Sequence, residues 1–462
     1  MLDQWDIYIR STEGKPVSES EFDTMILPMR LMELAKEYDI RYDKKELIPT
    51  DSSLVKDIYE AAIDLLVDLG VYNTSTGRVI RLDEAEIRRE MRVHPGEYMS
   101  GEGNELKKVV RRDCSDRRMP SIVGGPLGGP VSEKYYLPTM QSYAMESGID
   151  GVFTGTLLSL NGHEIKSKTT SEMLACKREI TLTREALRRA GKSGLSITGT
   201  MSGVSSECQC FPIAPDGLRG GCDRLLVSML NELKVDWDGL KKALSCQQNN
   251  IGISSCMATM IGGYLGGPET TMIGLTAESI ATYLLFGGSA MNVVTPNDVY
   301  TSYRSIADNV YVLAGAQAAL ARNTNALFNC HVVVSSGTGT EQAMREEIAM
   351  TGTATVTGAA TLLGVTTACT AVPDTYGGMD TRIMIEAADA FLGMSLEEAN
   401  ECIVKLVESY GGMDALSFRP TDPKKFYELY DMKTLRPTNE FEELWKNVKV
   451  KAEDEFGLNF SC

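Results

Sequence analysis

Residues 251–331 read IGISSCMATMIGGYLGGPETTMIGLTAESIATYLLFGGSAMNVVTPNDVYTSYRSIADNVYVLAGAQAALARNTNALFNCH. Three short apolar runs, Ile251–Cys256, Ser289–Val293 and Ala326–His331, alternate here with two longer segments, Glu269–Phe286 and Tyr303–Arg322. Runs of this length bounded by Gly, Pro and Asn suit buried strands, and the longer segments pass the ~10 residues at which a helix becomes the better reading. Strand, helix and strand in succession imply parallel pairing through right-handed crossovers.

The same texture extends in both directions. Upstream, Ser121–Val123, Gly151–Gly155 and Gly194–Thr198 read as strands and Ser171–Ala190 as a helix. A further strand is possible within Val204–Ile213, and Asp223–Leu233 reads as a helix. Downstream, a helix starts near Thr340, a last strand falls near Leu362–Ala368, and helices start at Thr381 and Ser395. About eight strand–helix units result, which predicts an α/β fold, a closed (β/α)8 TIM barrel, rather than an open sheet. No GxGxxG fingerprint follows the first strand, and neither a Walker A pattern nor a GxSxG elbow is present.

Residues 1–105 read as an N-terminal helical extension, and 106–462 as the barrel domain with C-terminal helices. Phe22–Tyr38 carries Met25, Ile26, Met29, Met32 and Leu34 as an apolar face. Asp51–Leu69 carries Leu54, Ile58, Ala61, Ala62, Leu65 and Leu66, with Gly70 as its stop. Leu82–Met91 follows Asp83 as a third helix.

Composition excludes several function classes. The 462 residues hold 63 Asp+Glu against 46 Lys+Arg, a formal charge of −17. That balance argues against a nucleic-acid binder and against an anionic membrane surface as partner. No uninterrupted apolar run approaches the ~18 residues of a spanning helix, and the polar N-terminus does not read as a signal peptide. Eleven cysteines, an odd count, read as reduced thiols of a cytoplasmic protein. Only three histidines are present, His94, His163 and His331, with no HExxH.

In a barrel, reactive groups sit where strands end. The predicted ends are Thr198, Cys256, Asn292 and Cys330-His331, and His331 is the one histidine so placed. It reads either as a structural hydrogen-bonding residue or as an acid/base group near neutral pH. Cys256 alone reads more readily as a small buried hydrophobe, and Asn292 as a site residue or a buried hydrogen-bonding group. Gly124-Gly-Pro-Leu-Gly-Gly-Pro130 recurs as Gly262-Gly-Tyr-Leu-Gly-Gly-Pro268. Such loops are either tight turns or places where a large ligand approaches the backbone. Cys208-x-Cys210 with Cys222 is a weak metal pattern, and a zinc on Cys256 and His331 is chemically conceivable.

Met29–Leu34, Ile48-Pro-Thr-Asp51, Gly124–Pro130 with Val131-Ser-Glu133, Asn231-Glu-Leu-Lys234, Gly262-Gly-Tyr264 and Tyr430-Asp-Met-Lys-Thr434 together resemble monomethylamine:corrinoid-protein methyltransferase, from about residue 20 to the C-terminus. The resemblance implies a barrel behind a helical extension and a homo-oligomer, hexameric in the archetype. It implies transfer of a methyl group from a small amine to the cobalt of a corrinoid (cobalamin) supplied by a partner protein rather than bound tightly by the chain. It also implies a pyrrolysine at the barrel mouth, and there this sequence departs. The matching position is Thr198, followed by Gly199. Family glutamates around the pyrrolysine correspond to Met201, Leu226 and Cys256, and a family glutamine to His331. The expectation is a non-pyrrolysine enzyme with a changed methylated substrate, in which Thr198, Cys256 and His331 form the reactive set and Met201, Leu226 and Asn292 line the pocket. Zinc-activated transfer from an O- or S-methyl compound and a non-catalytic ligand-binding paralogue are the alternatives.

Overall fold

The apolar runs pair in parallel with their sequence neighbours until the last meets the first, closing an eight-stranded barrel. The structure is a computed structural model that describes residues 2–287, 290–294 and 296–460, without the side chains of 290–294. The barrel strands are β1 (Ser121–Gly124), β2 (Gly151–Phe153), β3 (Ser196–Gly199), β4 (Arg224–Leu226), β5 (Gly252–Met257), β6 (Ala290–Val294), β7 (Phe328–Val333) and β8 (Thr361–Thr366). The helices that follow them are α1 (Glu133–Met145), α2 (Thr170–Arg189), the short α3 (Ser206–Cys210), α4 (Trp237–Gln248), α5 (Pro268–Phe286), α6 (Ala307–Asn323), α7 (Glu341–Val356) and α8 (Gly378–Ala390).

Alternation along each strand divides two cores. Ile122, Val152, Ile197, Leu225, Ile253, Cys330 and Leu362 join the main core between strands and helices. The neighbouring residues Val123, Phe153, Leu226, Cys256 and Leu363 meet inside the barrel, with Leu127, Met201 and Tyr98 packed against them. The interior is therefore filled by side chains, as a barrel of this size requires. A two-stranded hairpin, Glu97–Ser100 with Lys107–Val110, closes the N-terminal end. Its Tyr98 ring lies 3.8 Å from the Arg224 guanidinium and its hydroxyl 3.3 Å from Thr361 Oγ1.

The sequence expectation fails at β4. Asp223–Leu233 is not a helix: Arg224–Leu226 forms a strand, and Val204–Ile213 holds α3 instead of one. A three-residue strand is too short to show alternation, and its interior Arg224 breaks the apolar pattern by stacking on Tyr98.

Outside the barrel, the extension explains why α5 has no polar face. Residues 270–286 are all buried, because the helices Leu27–Glu37 and Ser52–Leu69 pack over them. The C-terminal helices Leu396–Ser409 and Asn439–Phe456 cover α7 in the same way. Ser52–Leu69 is capped by Asp51, whose carboxylate accepts from Ser53 N, and stopped by Gly70 at φ +70. In the first long helix the buried face is Phe22, Leu27, Leu31 and Leu34. Met25, Met29 and Met32 point outward, 52–61% exposed, contrary to the face read from the sequence. Both stripes have i, i+4, i+7 spacing two residues apart, so periodicity alone does not choose between them. Among the described residues no helix is long and apolar enough to cross a membrane.

Candidate active site

The mouth at the C-terminal strand ends is built by loops that lock onto one another. After β1, Gly125 lies so close to β2 that a Cβ would stand 2.0 Å from the Phe153 carbonyl oxygen, at φ +139. A Cβ on Gly129 would meet the Tyr376 ring at 2.4 Å. The first glycine phrase thus joins the loops after β2 and β8. The second phrase forms a tight turn, Gly262 N to Gly266 O at 2.7 Å, that leads into α5 through Pro268.

Three buried glutamates hold the loops from behind. Glu179 of α2 accepts from Met201 N (2.8 Å) and Ser202 N (2.7 Å) after β3. Glu278 of α5 accepts from Glu232 N (2.6 Å), Leu233 N (3.2 Å) and Thr259 Oγ1 (2.7 Å). Glu346 of α7 accepts from Ser305 Oγ (2.5 Å), Ser335 N (2.8 Å) and Ser336 N (3.1 Å). Burial pushes the Glu179 and Glu278 carboxyls up to about 7 against these donors. Sequence reasoning missed all three. Their signal was an acid within a helix otherwise rich in apolar and small residues.

The residues expected at the mouth are found as follows. Thr198 is the penultimate residue of β3 and 2% exposed. It lies on the interior face opposite Ile197, and its carbonyl accepts from Thr154 N at 2.9 Å. Cys256, Leu226 and Met201 are brought together with Val123, Leu127, Phe153 and Leu363 in the interior apolar cluster. His331 lies on the face of β7 opposite Cys330, and its Nε2 is 2.8 Å from Thr366 Oγ1 of β8. The Asn292 backbone sits in register with Ser255 and Phe328; its side chain lies outside the described residues.

The electrostatics redefine His331. Burial, aided by the nearby Arg304 guanidinium, lowers its imidazole to about 3. It is neutral at pH 7, which argues against the general-acid role suggested by the sequence and suits a hydrogen-bonding one. Burial likewise raises the Cys256 thiol to about 11, with Arg304 opposing, so it is no thiolate at neutral pH. Among the described residues no group of three His, Cys, Asp or Glu could hold a metal ion, so zinc on Cys256 and His331 lacks a third donor from the chain. Cys208, Cys210 and Cys222 likewise do not come together as such a group.

Arg304 was hidden by a boundary. The sequence places a helix over Tyr303–Arg322, but α6 begins at Ala307. Residues 303–306 instead belong to the loop after β6, and Arg304 N donates to Ser335 Oγ at 3.0 Å in the loop after β7. Beside them, Ala368, Cys369 and Thr370 follow β8 with φ of 49, 50 and 63, three successive left-handed non-glycine residues. Cys369 N donates to Val334 O at 3.1 Å. Such backbone strain concentrates at functional sites. The opposite end of the barrel has its own groove of about 480 Å³, lined by Tyr98, Cys222, Arg224, Asn250 and Gly252.

A family model, Monomethylamine methyltransferase MtmB, matches residues 2–458. Monomethylamine methyltransferase MtmB2 of Methanosarcina acetivorans is 31% identical over 459 residues, 99% of each chain. MtmB of Methanosarcina mazei is 31% identical over 465 residues, again 99% of each. The crystal structure of the Methanosarcina barkeri enzyme superposes with a TM-score of 0.94 at 30% identity, covering 99% of both chains.

Proposed function

The chain belongs to the monomethylamine methyltransferase family and is a methyltransferase, and we propose that it works without pyrrolysine on a methyl donor whose leaving atom is already positively charged. The acceptor is the cobalt of a corrinoid carried by a separate protein, which supplies a strong nucleophile when reduced. A neutral amine leaves poorly unless it is protonated or otherwise made electron-poor. Thr198 carries no electrophile for that task. The observation that carries the proposal is the mouth itself: its one histidine is held neutral, its thiol is held protonated, and Met201, Leu226 and Cys256 form an apolar wall. A quaternary ammonium or other onium donor needs no proton from the protein. The wall would orient the methyl group outward, and docking of the partner would exclude water. The loops around the mouth carry exposed apolar side chains suited to that docking, among them Val204, Tyr264 and Tyr300 at 66%, 47% and 83% exposure.

We place the enzyme in the cytoplasm as a homo-oligomer, a hexamer by analogy with the archetype. The exposed Met25, Met29 and Met32 stripe supports self-association.

The test is a donor panel incubated with the protein and a corrinoid protein reduced to Co(I), followed by loss of the Co(I) absorbance. N- or S-methyl onium donors are expected to discharge it, and monomethylamine is not. Turnover of monomethylamine with no onium donor accepted overturns the reading.

A further inference from the structure

Resting on that reading, we propose that the methyl donor also carries a carboxylate and that Arg304 binds it. Arg304 sits at the mouth by its backbone, in the loop after β6 and hydrogen-bonded to the loop after β7 at Ser335. Its guanidinium lies close enough to act electrostatically on Cys256, His331 and Cys369, which come from β5, β7 and the loop after β8. Among the described residues it has no ion-pair partner, and its Nε is buried with no hydrogen bond at all.

Other interior or partly buried arginines contrast with it. Arg112 donates to four backbone carbonyls, Arg184 pairs with Asp223, and Arg382 bridges Glu146 and Glu442. The acids around it are already engaged: Asp298 accepts from Thr301, Asp308 accepts from Tyr42, and Glu346 accepts from Ser305, Ser335 and Ser336. An uncompensated cation and an unsatisfied buried donor are costly. A planar guanidinium with no carboxylate partner of its own, beside a neutral imidazole and protonated thiols, is the usual recognition element for a carboxylate.

The geometry suits a zwitterionic donor. The carboxylate would lie on the Arg304 side, toward β7 and β8. The methylated onium would rest against Met201, Leu226 and Cys256, on the β3 to β5 side. In transfer, the methyl–nitrogen bond breaks as the methyl–cobalt bond forms. The nitrogen keeps the electron pair and leaves as a neutral tertiary amine, still held by its carboxylate.

The experiment measures binding by calorimetry, without the corrinoid, so that it stands whether or not turnover is found. The probes are trimethylammonioacetate, its amide and tetramethylammonium. Wild-type protein is expected to bind the carboxylate more tightly than either other probe. Arg304→Gln should weaken carboxylate binding by about 10- to 100-fold and leave the other two unchanged, and Arg304→Lys should fall between. Melting temperatures of both variants check folding, and removing an unpaired cation should not lower them. Equal affinity for carboxylate and amide, or no binding of the carboxylate, overturns the proposal. So does an Arg304→Gln variant that binds the carboxylate as tightly as the wild-type protein.

Discussion

His331 shows how an environment changes a residue's role. An exposed imidazole titrates near 6.5, whereas this one is lowered to about 3 by burial and by Arg304. A depressed folded-state value means that the unfolded chain binds the proton first as pH falls. The stabilising contribution is therefore complete above pH 6.5 and is lost between 6.5 and about 3, at up to ~1.4 kcal/mol per pH unit. His331→Gln should lose less stability on acidification through that window, as read by urea unfolding at stepped pH. The pH profile of methyl transfer between 6 and 8 should keep its shape in the variant, because the group does not titrate there. Glu278 has the opposite sign. Its carboxyl is raised to about 7 from 4.5, so the folded state holds a proton that the unfolded state has released. Stability should fall as pH rises from 4.5 to 7, and Glu278→Gln should remove that slope.

At the scale of elements, the stretches that carried the family resemblance prove to be joints. Lys234 of Asn231–Lys234 pairs with Asp23 at 2.9 Å, and Lys234–Val235 adds a strand beside Val71–Asn73, tying the loop after β4 to the extension. Asp51 caps a helix. Tyr430 accepts from Met379 N at 2.7 Å and so docks the C-terminal tail on α8. Gly125 belongs to the same class. Gly125→Ala would drive a Cβ into the Phe153 carbonyl at a backbone angle foreign to alanine, so a loss of about 3 kcal/mol or more is expected in urea unfolding. Tyr98→Ala should cost about 2–4 kcal/mol in urea unfolding by emptying the barrel floor. The strand and helix order was legible because the helices show their period and even the short β2 is an apolar run between glycines. The element that failed, β4, has three residues and a charged interior side chain.

For the whole molecule, the unpaired surface is the informative part. Met25, Met29 and Met32 stand 56%, 52% and 61% exposed on one helix face, more apolar surface than a solvated helix ordinarily shows. If the protein is a homo-oligomer joined through that face, replacing all three with Glu should give smaller species by light scattering at micromolar concentration while the melting curve retains a single transition. An unchanged mass would place the interface elsewhere.

By itself the sequence determined the barrel, its helical extension and the residue types at the mouth. Periodicity, caps and glycine turns are local properties, and Thr198, Met201, Leu226, Cys256 and His331 could be picked out by their places at strand ends and in the family pattern. Only the tertiary structure decided what those residues can do. Whether an imidazole is charged depends on burial and on a guanidinium brought beside it from another loop, and both are set by contacts between residues far apart in the chain. The same holds for Arg304, whose position ten residues beyond β6 means nothing until α6 begins late, at Ala307, and leaves it in the loop at the mouth.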